Sequence, residues 1–471
     1  MDLIDEFEIL LGKANVLTGA DTAPYSTDWT GKYTATPLAV LRPADRDQVA
    51  AIMRLAHATR TPVVPVAGRT GLAGGALAEG AVMVSVERMN TIRAINPTAR
   101  TATVEAGVIL SRLHDAAAEQ GLSFPMTFGA RDSAMIGGLL STNAGGSNVL
   151  RHGTTRALCL GLEAVLPDGR VLDVMGALHK DNTGYALRDL MIGAEGTLGI
   201  ITAAVLKLVP QPRAHATAMV ALPDLDAALE LLNTLQETSG GAVEAFEYMP
   251  DTYFRRLAFC HPELRPPFKQ TYAVAVLIEL GATAPRDAAT DPEGRLPMTS
   301  LLEEALARQM ETGKVIDAVV AQSGAQRAEM WQRRELAAEI TFSRQPAVDN
   351  DIALPLDHVG TFLARMETRL PEIDAGAETI TVGHLGDGNL HYVVWPTLCG
   401  DAIKEAIREA VEDEVAALGG SFSAEHGIGL SKLSTMERRK DKVALDVMRA
   451  IKTALDPDDI MNPAKLLPPT G

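Results

Sequence analysis

The segment "VVPVAGRTGLAGGAL", residues 63–77, restricts the fold of this chain more than any other. It continues "PLAVLRPADRDQVAAIMRLAHATRTP", whose pattern predicts a strand over 38–42, a helix over about 45–59 and a strand over 62–66. A glycine loop entered directly from a strand lets main-chain N–H groups approach oxygen atoms closely and form an anion-binding nest. Two familiar nucleotide loops are excluded. No GK followed by Ser or Thr is present, so this is not a P-loop. The spacing of Gly68, Gly71 and Gly74 is not GxGxxG. The next strand, "AVMVSVE", ends in Glu87, where a dinucleotide fold would place its ribose-binding acid, but the loop leaves only a handful of residues before it. A parallel crossover needs roughly a dozen, so no such unit is expected. A tight structural turn would explain one loop equally well. Two further clusters, "FGARDSAMIGGLLSTNAGGSNVLRHG" (128–153) and "DNTGYALRDLMIGAEGTLGIIT" (181–202), shift the balance. Three such segments in one region predict a large polar ligand held by backbone at many points.

The chain has 471 residues, enough for about three domains or two large ones. With 46% hydrophobic and 22% charged residues it can bury a sizeable core. A net charge of −17 disfavours nucleic acid and anionic membranes as general partners, so an anionic substrate needs a local basic patch. Cys159, Cys260 and Cys399 lack CxxC spacing, which argues against a disulfide framework, a thiolate zinc site or a redox dithiol. The N-terminus "MDLIDEFEILLGKANV" is acidic and amphipathic, and no apolar run reaches ~18 residues. A cytoplasmic protein without signal peptide or membrane span is expected.

Four regions are expected: 1–36, a helix and loop; 37–212, the glycine-rich domain, closed by Pro210 and Pro212; 213–418, a second domain; and 419–471, a turn-rich tail. The second domain opens with a strand-helix unit, "ATAMVALPDLDAALELLNTLQE". It continues through a polar loop at 281–298, a helix around 324–342 and a helix at 401–418 whose acidic clusters read as a solvated face.

The ordered motifs "AGRTGLAGG", "IGGLLSTNAGG", "RHGTTR", "LPDGRVL" and "DNTGYALRDLMIGAEGTLGIIT" closely resemble the PCMH-type FAD-binding domain of the vanillyl-alcohol oxidase superfamily. "GHLGDGNLH", "SAEHGIG" and "MNPAKLL" resemble its D-lactate, D-2-hydroxyglutarate and glycolate dehydrogenase branch. The resemblance spans nearly the whole chain from about residue 30. It implies an α+β architecture: a two-subdomain FAD-binding domain and an α+β substrate (cap) domain with a central antiparallel sheet. It further implies that Gly68, Arg69, Thr70, Gly71 and Leu72 cradle the pyrophosphate of FAD. Gly129, Ser133, Gly137, Gly138, Asn143, Gly145 and Gly146 would line the ribityl and flavin region. Gly196, Ile200 and Ile201 would hold the adenine side, and Asn462 would approach the isoalloxazine. The first loop lacks His and Cys, so non-covalent FAD is expected, with His152 the one remaining candidate for a flavin link.

The second constellation is "TVGHLGDGNLHYVVW", residues 381–395. His384 and His391 are seven apart, a spacing that points to opposite faces of a straight strand. Asp387-Gly388 favours a two-residue hairpin turn, because both central residues need positive φ. A turn there pairs His384 with His391 on one face, Cβ atoms roughly 5 Å apart. Downstream, Glu425 and His426 are adjacent, and an extended backbone would point them oppositely. Two imidazoles and a carboxylate suit Zn²⁺ or Mn²⁺ with positions left open for substrate. The resemblance assigns a divalent metal to His384, His391 and Glu425, and substrate proton transfer to His426. It makes Arg334, three residues after Trp331, the clamp for the substrate carboxylate, while Arg333 is expected at the surface. The implied reaction passes a hydride from C2 of a D-2-hydroxy acid to flavin N5.

The sequence departs from the D-2-hydroxyglutarate type at three places. Ala338 stands for a threonine, Asp349 for a lysine and Val393 for an asparagine. Exchanging a lysine for an aspartate disfavours a second substrate carboxylate. The expectation is therefore D-lactate or another short monocarboxylate, with D-2-hydroxyglutarate or D-malate as the alternative. A related ether-lipid-synthase chemistry and a non-catalytic or glycolate-oxidase-type subunit of a partner complex are the other readings. The electron acceptor, a quinone, cytochrome or electron-transfer flavoprotein, stays open, and a homodimer is compatible with the sequence.

Overall fold

The computed structural model describes residues 2–292 and 294–469. The chain divides into two compact units. The first comprises residues 1–145, 153–210 and 425–471; the second comprises 146–152 and 211–424.

In the first unit the βαβ pattern is realised as the strand Ala39–Leu41, the helix Arg46–Thr59 and the strand Val63–Val66. Asp45 caps the helix, its carboxylate accepting from the Gln48 N–H at 2.8 Å. The strand Val82–Ser85 lies between these two strands and parallel to both. The chain therefore does make a parallel crossover between Val63–Val66 and Val82–Ser85, against expectation. The glycine segment itself is the connection, running without a helix, so the length rule was met by irregular backbone. Val16–Leu17 adds antiparallel at the other edge. A second sheet of five strands follows the order Ile92–Asn96, Thr101–Glu105, Ile200–Lys207, Cys159–Val165, Val171–Val174, all antiparallel. Each sheet has its own core. The tail returns to the first sheet, where Met461 bridges Val63 in parallel and the Asn462 N–H donates to Val63 O.

The second unit is built on a seven-stranded antiparallel sheet. Its order is Asp317–Val320, Ala214–Leu222, Val274–Ala282, Val243–Tyr248, Glu378–His384, Asn389–Trp395, Val348–Ala353. Alternate residues of the central strands enter two different cores. Val276, Ile278 and Phe246 pack with the helices Leu225–Ser239, Pro297–Glu311, Val359–Ile373 and Asp401–Ala417. Leu277, Met219 and Val382 face the other way, with Met330 and Tyr253. A sheet covered on both faces explains strands that read as nearly continuous apolar runs. The helix expected around 324–342 breaks at Leu336 into Gly324–Glu335 and Ala337–Thr341. The acidic clusters of the Asp401–Ala417 helix are only partly a solvated face. Glu412 is buried, and Arg369 pairs with Asp413 and Glu414 from the neighbouring helix.

Candidate active site

The first unit collects the expected glycine segments by close backbone approach. A Cβ on Gly68 would meet Ser133 O at 2.2 Å, and one on Gly137 would meet the Ala106 Cβ at 2.7 Å. Gly196 has φ +73° and would drive a Cβ to 2.4 Å from the Pro65 ring. These positions admit only glycine, so the segments around residues 68, 133, 137 and 196 are fixed to one another by absent side chains. Half-buried Glu195 accepts from the Ile428 and Gly429 N–H groups at 2.8 and 2.7 Å. Burial raises its pKa despite both donors. Asn462 donates to Gly75 O and Glu195 O, at 3.0 and 2.7 Å, while its Oδ1 is buried with no hydrogen-bond partner. Several main-chain turns, with positive φ at Arg69, Asn143, Glu195 and Asn462, thus converge within one unit. They fit a large phosphorylated ligand gripped by backbone.

The individual residues differ. Arg69 stacks on Tyr25, 4.6 Å from its ring centroid, and donates to Pro24 O. Gly71 and Gly129 are exposed, as is Ser133, whereas Thr70, Leu72, Gly138 and Gly145 are partly buried. Ile200 and Ile201 commit their side chains to the two cores, leaving only main chain for a ligand. Gly146 and His152 group with the second unit, and burial pushes the His152 imidazole down to about 4. Cys159 is buried within its strand and its thiol is pushed up to about 12, chiefly by burial.

In the second unit the histidine hairpin closes in a different register from the expected one. His384 pairs with Asn389 and Val382 with His391, so residues 385–388 form a four-residue loop. Only Gly388 takes positive φ, +80°, where a Cβ would strike Leu354 O at 2.1 Å. The His384 carbonyl accepts from both the Asp387 and Gly388 N–H groups. The loop can be longer because a slip of two residues preserves the face of every side chain. His384 and His391 therefore share a face as diagonal neighbours, with ring centroids 5.7 Å apart.

Each imidazole meets a buried acid across the sheet. Glu247 is paired in register with His384, and its Oε1 lies 2.8 Å from His384 Nδ1. Asp351 is paired with His391, with 3.9 Å between its Oδ1 and Nδ1. Asp351 also accepts from Asn389 Nδ2 at 3.0 Å and from the Ala424 N–H at 3.2 Å. A carboxylate on Nδ1 turns Nε2 outward as a lone-pair donor, the arrangement common to metal-binding histidines. Of the two, His391 lies with Asp351 in a group of side chains whose ligand atoms come within 4.8 Å of one another, the spacing a divalent cation uses, and among the described residues His384 is in no such group. The other oxygen of Glu247 accepts from Arg334 Nε at 2.7 Å. Arg334 is 9% exposed, and its Nη2 is buried with no hydrogen-bond partner, as a clamp awaiting an anion would be. Burial would raise the pKa of Glu247, but the His384 and Arg334 charges outweigh it and hold the carboxyl below its ordinary range. Arg333, expected at the surface, is buried: it donates to Arg265 O and Glu329 and fixes the outer side of the helix.

Glu425 and His426 belong to the first unit. Their segment bends rather than extends, and His426 Nε2 lies 3.8 Å from Glu425 Oε1. The alternation expected of extended backbone is therefore lost there. Sequence reasoning also missed Glu247 and Asp351. A signal existed: Glu247 interrupts the strand "VEAFEY", whose residues are all buried, and a buried acid must be paired.

Residues 37–175 match the family described as FAD binding domain, and residues 211–466 match FAD linked oxidases, C-terminal domain. The D-2-hydroxyglutarate dehydrogenase of Xanthomonas citri pv. viticola is 37% identical, covering 95% of this chain and 93% of that protein. A putative mitochondrial D-lactate dehydrogenase of Schizosaccharomyces pombe is 31% identical, covering 95% and 85%. Among solved structures, substrate-bound p-cresol methylhydroxylase superposes with a TM-score of 0.74 at 18% identity, over 99% of this chain and 96% of that one, which shows the fold. The chain belongs to the FAD linked oxidases, in the family of the D-2-hydroxyglutarate and D-lactate dehydrogenases. No helix among the described residues is long and apolar enough to cross a membrane.

Proposed function

We propose that this protein oxidises a D-2-hydroxy acid to the 2-oxo acid, with a short monocarboxylate such as D-lactate as substrate. The observation that carries the reading is Arg334, whose buried Nη2 has no hydrogen-bond partner while its Nε is fixed by Glu247. Such a guanidinium can meet a carboxylate through its remaining N–H groups. FAD, held non-covalently in the glycine cradle, supplies the hydride acceptor. A divalent metal, Zn²⁺ or Mn²⁺, held by His384, His391 and Glu425, supplies a Lewis acid for the substrate hydroxyl. Glu425 is the residue after Ala424, whose N–H is tied to Asp351 beside His391. His426 accepts the hydroxyl proton, a task suited to an imidazole near neutral pH. Arg334 would orient the acid by its carboxylate.

The monocarboxylate preference is supported by register. Asp349 pairs with Val393 directly beside the Asp351–His391 pair, and Ile380 faces Val393 on the other side. Val393 is buried in the apolar cluster of that face. An anion and an apolar wall are poor company for a second carboxylate. A second reading, D-2-hydroxyglutarate oxidation, is favoured by the 37% identity to a dehydrogenase of that name. Anaerobic flavin bleaching over a panel of D- and L-2-hydroxy acids, with metal analysis of the same sample, decides. D-lactate bleaching faster than D-2-hydroxyglutarate is expected. The reverse order selects the second reading, and no bleaching by any 2-hydroxy acid removes both.

A further inference from the structure

Helix Gly324–Glu335 lies on the sheet face that carries the hairpin histidines, and two buried carboxylates hold it there. Glu279 accepts from Arg327 Nε and Nη2, at 2.7 and 2.6 Å, and from Trp331 Nε1 at 2.8 Å. Glu247 takes Arg334 at 2.7 Å. Residues 327, 331 and 334 are i, i+4 and i+7, one face of the helix. The tryptophan three residues before the arginine thus sets the rotation of the helix, by spending its indole N–H on the same acid as Arg327. Arg334 then arrives at Glu247 with one direction left open.

Glu247 differs from Glu279 in what its second oxygen does. It is fully buried, and its Oε1 reaches His384 on the adjacent strand at 2.8 Å. Glu247 and His384 are directly opposed in the ladder, so this contact is set by backbone pairing.

Resting on the function proposed above, we infer that Glu247 is a positioning residue that couples the substrate clamp to the metal grip. One oxygen orients the Arg334 guanidinium, and the other fixes the His384 tautomer so that Nε2 would be the atom offered to a metal. A displacement of either group is transmitted to the other through a single rigid carboxylate. Substrate and metal are thereby held in one frame although they are bound by a helix and a hairpin that are far apart in sequence.

The test uses the FAD-loaded full chain and measures zinc affinity by competition with a chromophoric chelator, alongside KM and kcat for the best 2-hydroxy acid. Glu247→Gln is expected to weaken zinc binding roughly 10- to 100-fold, the usual effect of removing a histidine's carboxylate partner. The same variant should raise KM by about tenfold or more, because Arg334 loses its anchor. Glu279→Gln, also buried and anchoring the same helix from the strand Val274–Ala282, is expected to leave zinc affinity within about twofold, which separates coupling from general loosening of the face. Zinc affinity and KM both unchanged in a folded Glu247→Gln protein overturn the inference, as does an equal loss of zinc affinity in Glu279→Gln. Should Glu247→Gln fail to fold, Glu247→Asp replaces it: weakened zinc binding supports the coupling and unchanged binding overturns it. Wild-type protein that binds no zinc and bleaches with no hydroxy acid overturns the functional reading as well; failure in the variants alone overturns only this inference.

Discussion

The two units grip in opposite ways. The first unit uses main chain: its tight points are Gly68, Gly137 and Gly196, where a missing Cβ lets one segment touch another. The second unit uses ionised side chains on one face of a sheet, where Glu247, Glu279 and Asp351 hold arginines and histidines in place. A backbone site tolerates most side-chain changes and fails at a methyl group. A site made of charges tolerates shape changes and fails when a partner is removed.

That contrast can be broken by substitutions, of which the largest effect belongs to the hairpin. His391→Ala should abolish metal retention and lower kcat/KM by about a thousandfold, the loss of several kcal/mol of Lewis-acid assistance. FAD content should stay at the wild-type level, measured by absorbance after gel filtration. Gly196→Ala should do the reverse. A Cβ 2.4 Å from Pro65 and a φ of +73° predict a cost of about 1–3 kcal/mol in thermal unfolding and a lower FAD occupancy, with zinc affinity of the folded fraction unchanged. Asp349→Lys combined with Val393→Asn should shift the ratio of kcat/KM values toward D-2-hydroxyglutarate by roughly tenfold, one charge-assisted contact. An unchanged ratio would mean that these two positions do not face the distal end of the substrate.

The smallest effect concerns stability and pH. Asp374 accepts from Thr397 Oγ1 and from the Thr397, Leu398 and Gly376 N–H groups, which hold its carboxyl down to about 2. Because the folded pKa is depressed, the contribution to stability is full above the ordinary carboxylate range and is lost as pH falls toward 2. Asp374→Asn should therefore lower the melting temperature at pH 7, and the difference should shrink steadily on acidification.

Much of this was legible in the sequence, for reasons that differ by region. The strand-helix-strand run at 38–66 was readable because its period and its cap are local. The glycine clusters stand out in the sequence as loops for a ligand, whereas the contacts that demand glycine at Gly68, Gly137 and Gly196 are between segments of the protein itself. The hairpin was right in face and wrong in register: Asp387-Gly388 suggested a two-residue turn, but the ladder closed two residues earlier, at His384 and Asn389. Arg333 was misread because a helical arginine is usually solvated, and its anchor, Arg265 O, lies 68 residues away. Glu247 left a trace as an acid within an apolar strand, yet its partners are 87 and 137 residues distant. Local chemistry shows that such an acid needs a cation; only the sheet order says which one.

The tail that returns to the first unit has a consequence during synthesis. Glu195 must wait 234 residues for the Gly429 N–H, and Asn462 closes on Gly75 only 387 residues after it. At a translation rate of about 5–20 residues per second, the glycine cradle stays open for roughly 20–80 s after its first loop emerges. Throughout that interval all of the second unit is made, while the first exposes unfinished surface. On the proposed function FAD meets its completed cradle late, and a nascent chain truncated anywhere before "MNP" should gain little from the cofactor as a folding aid.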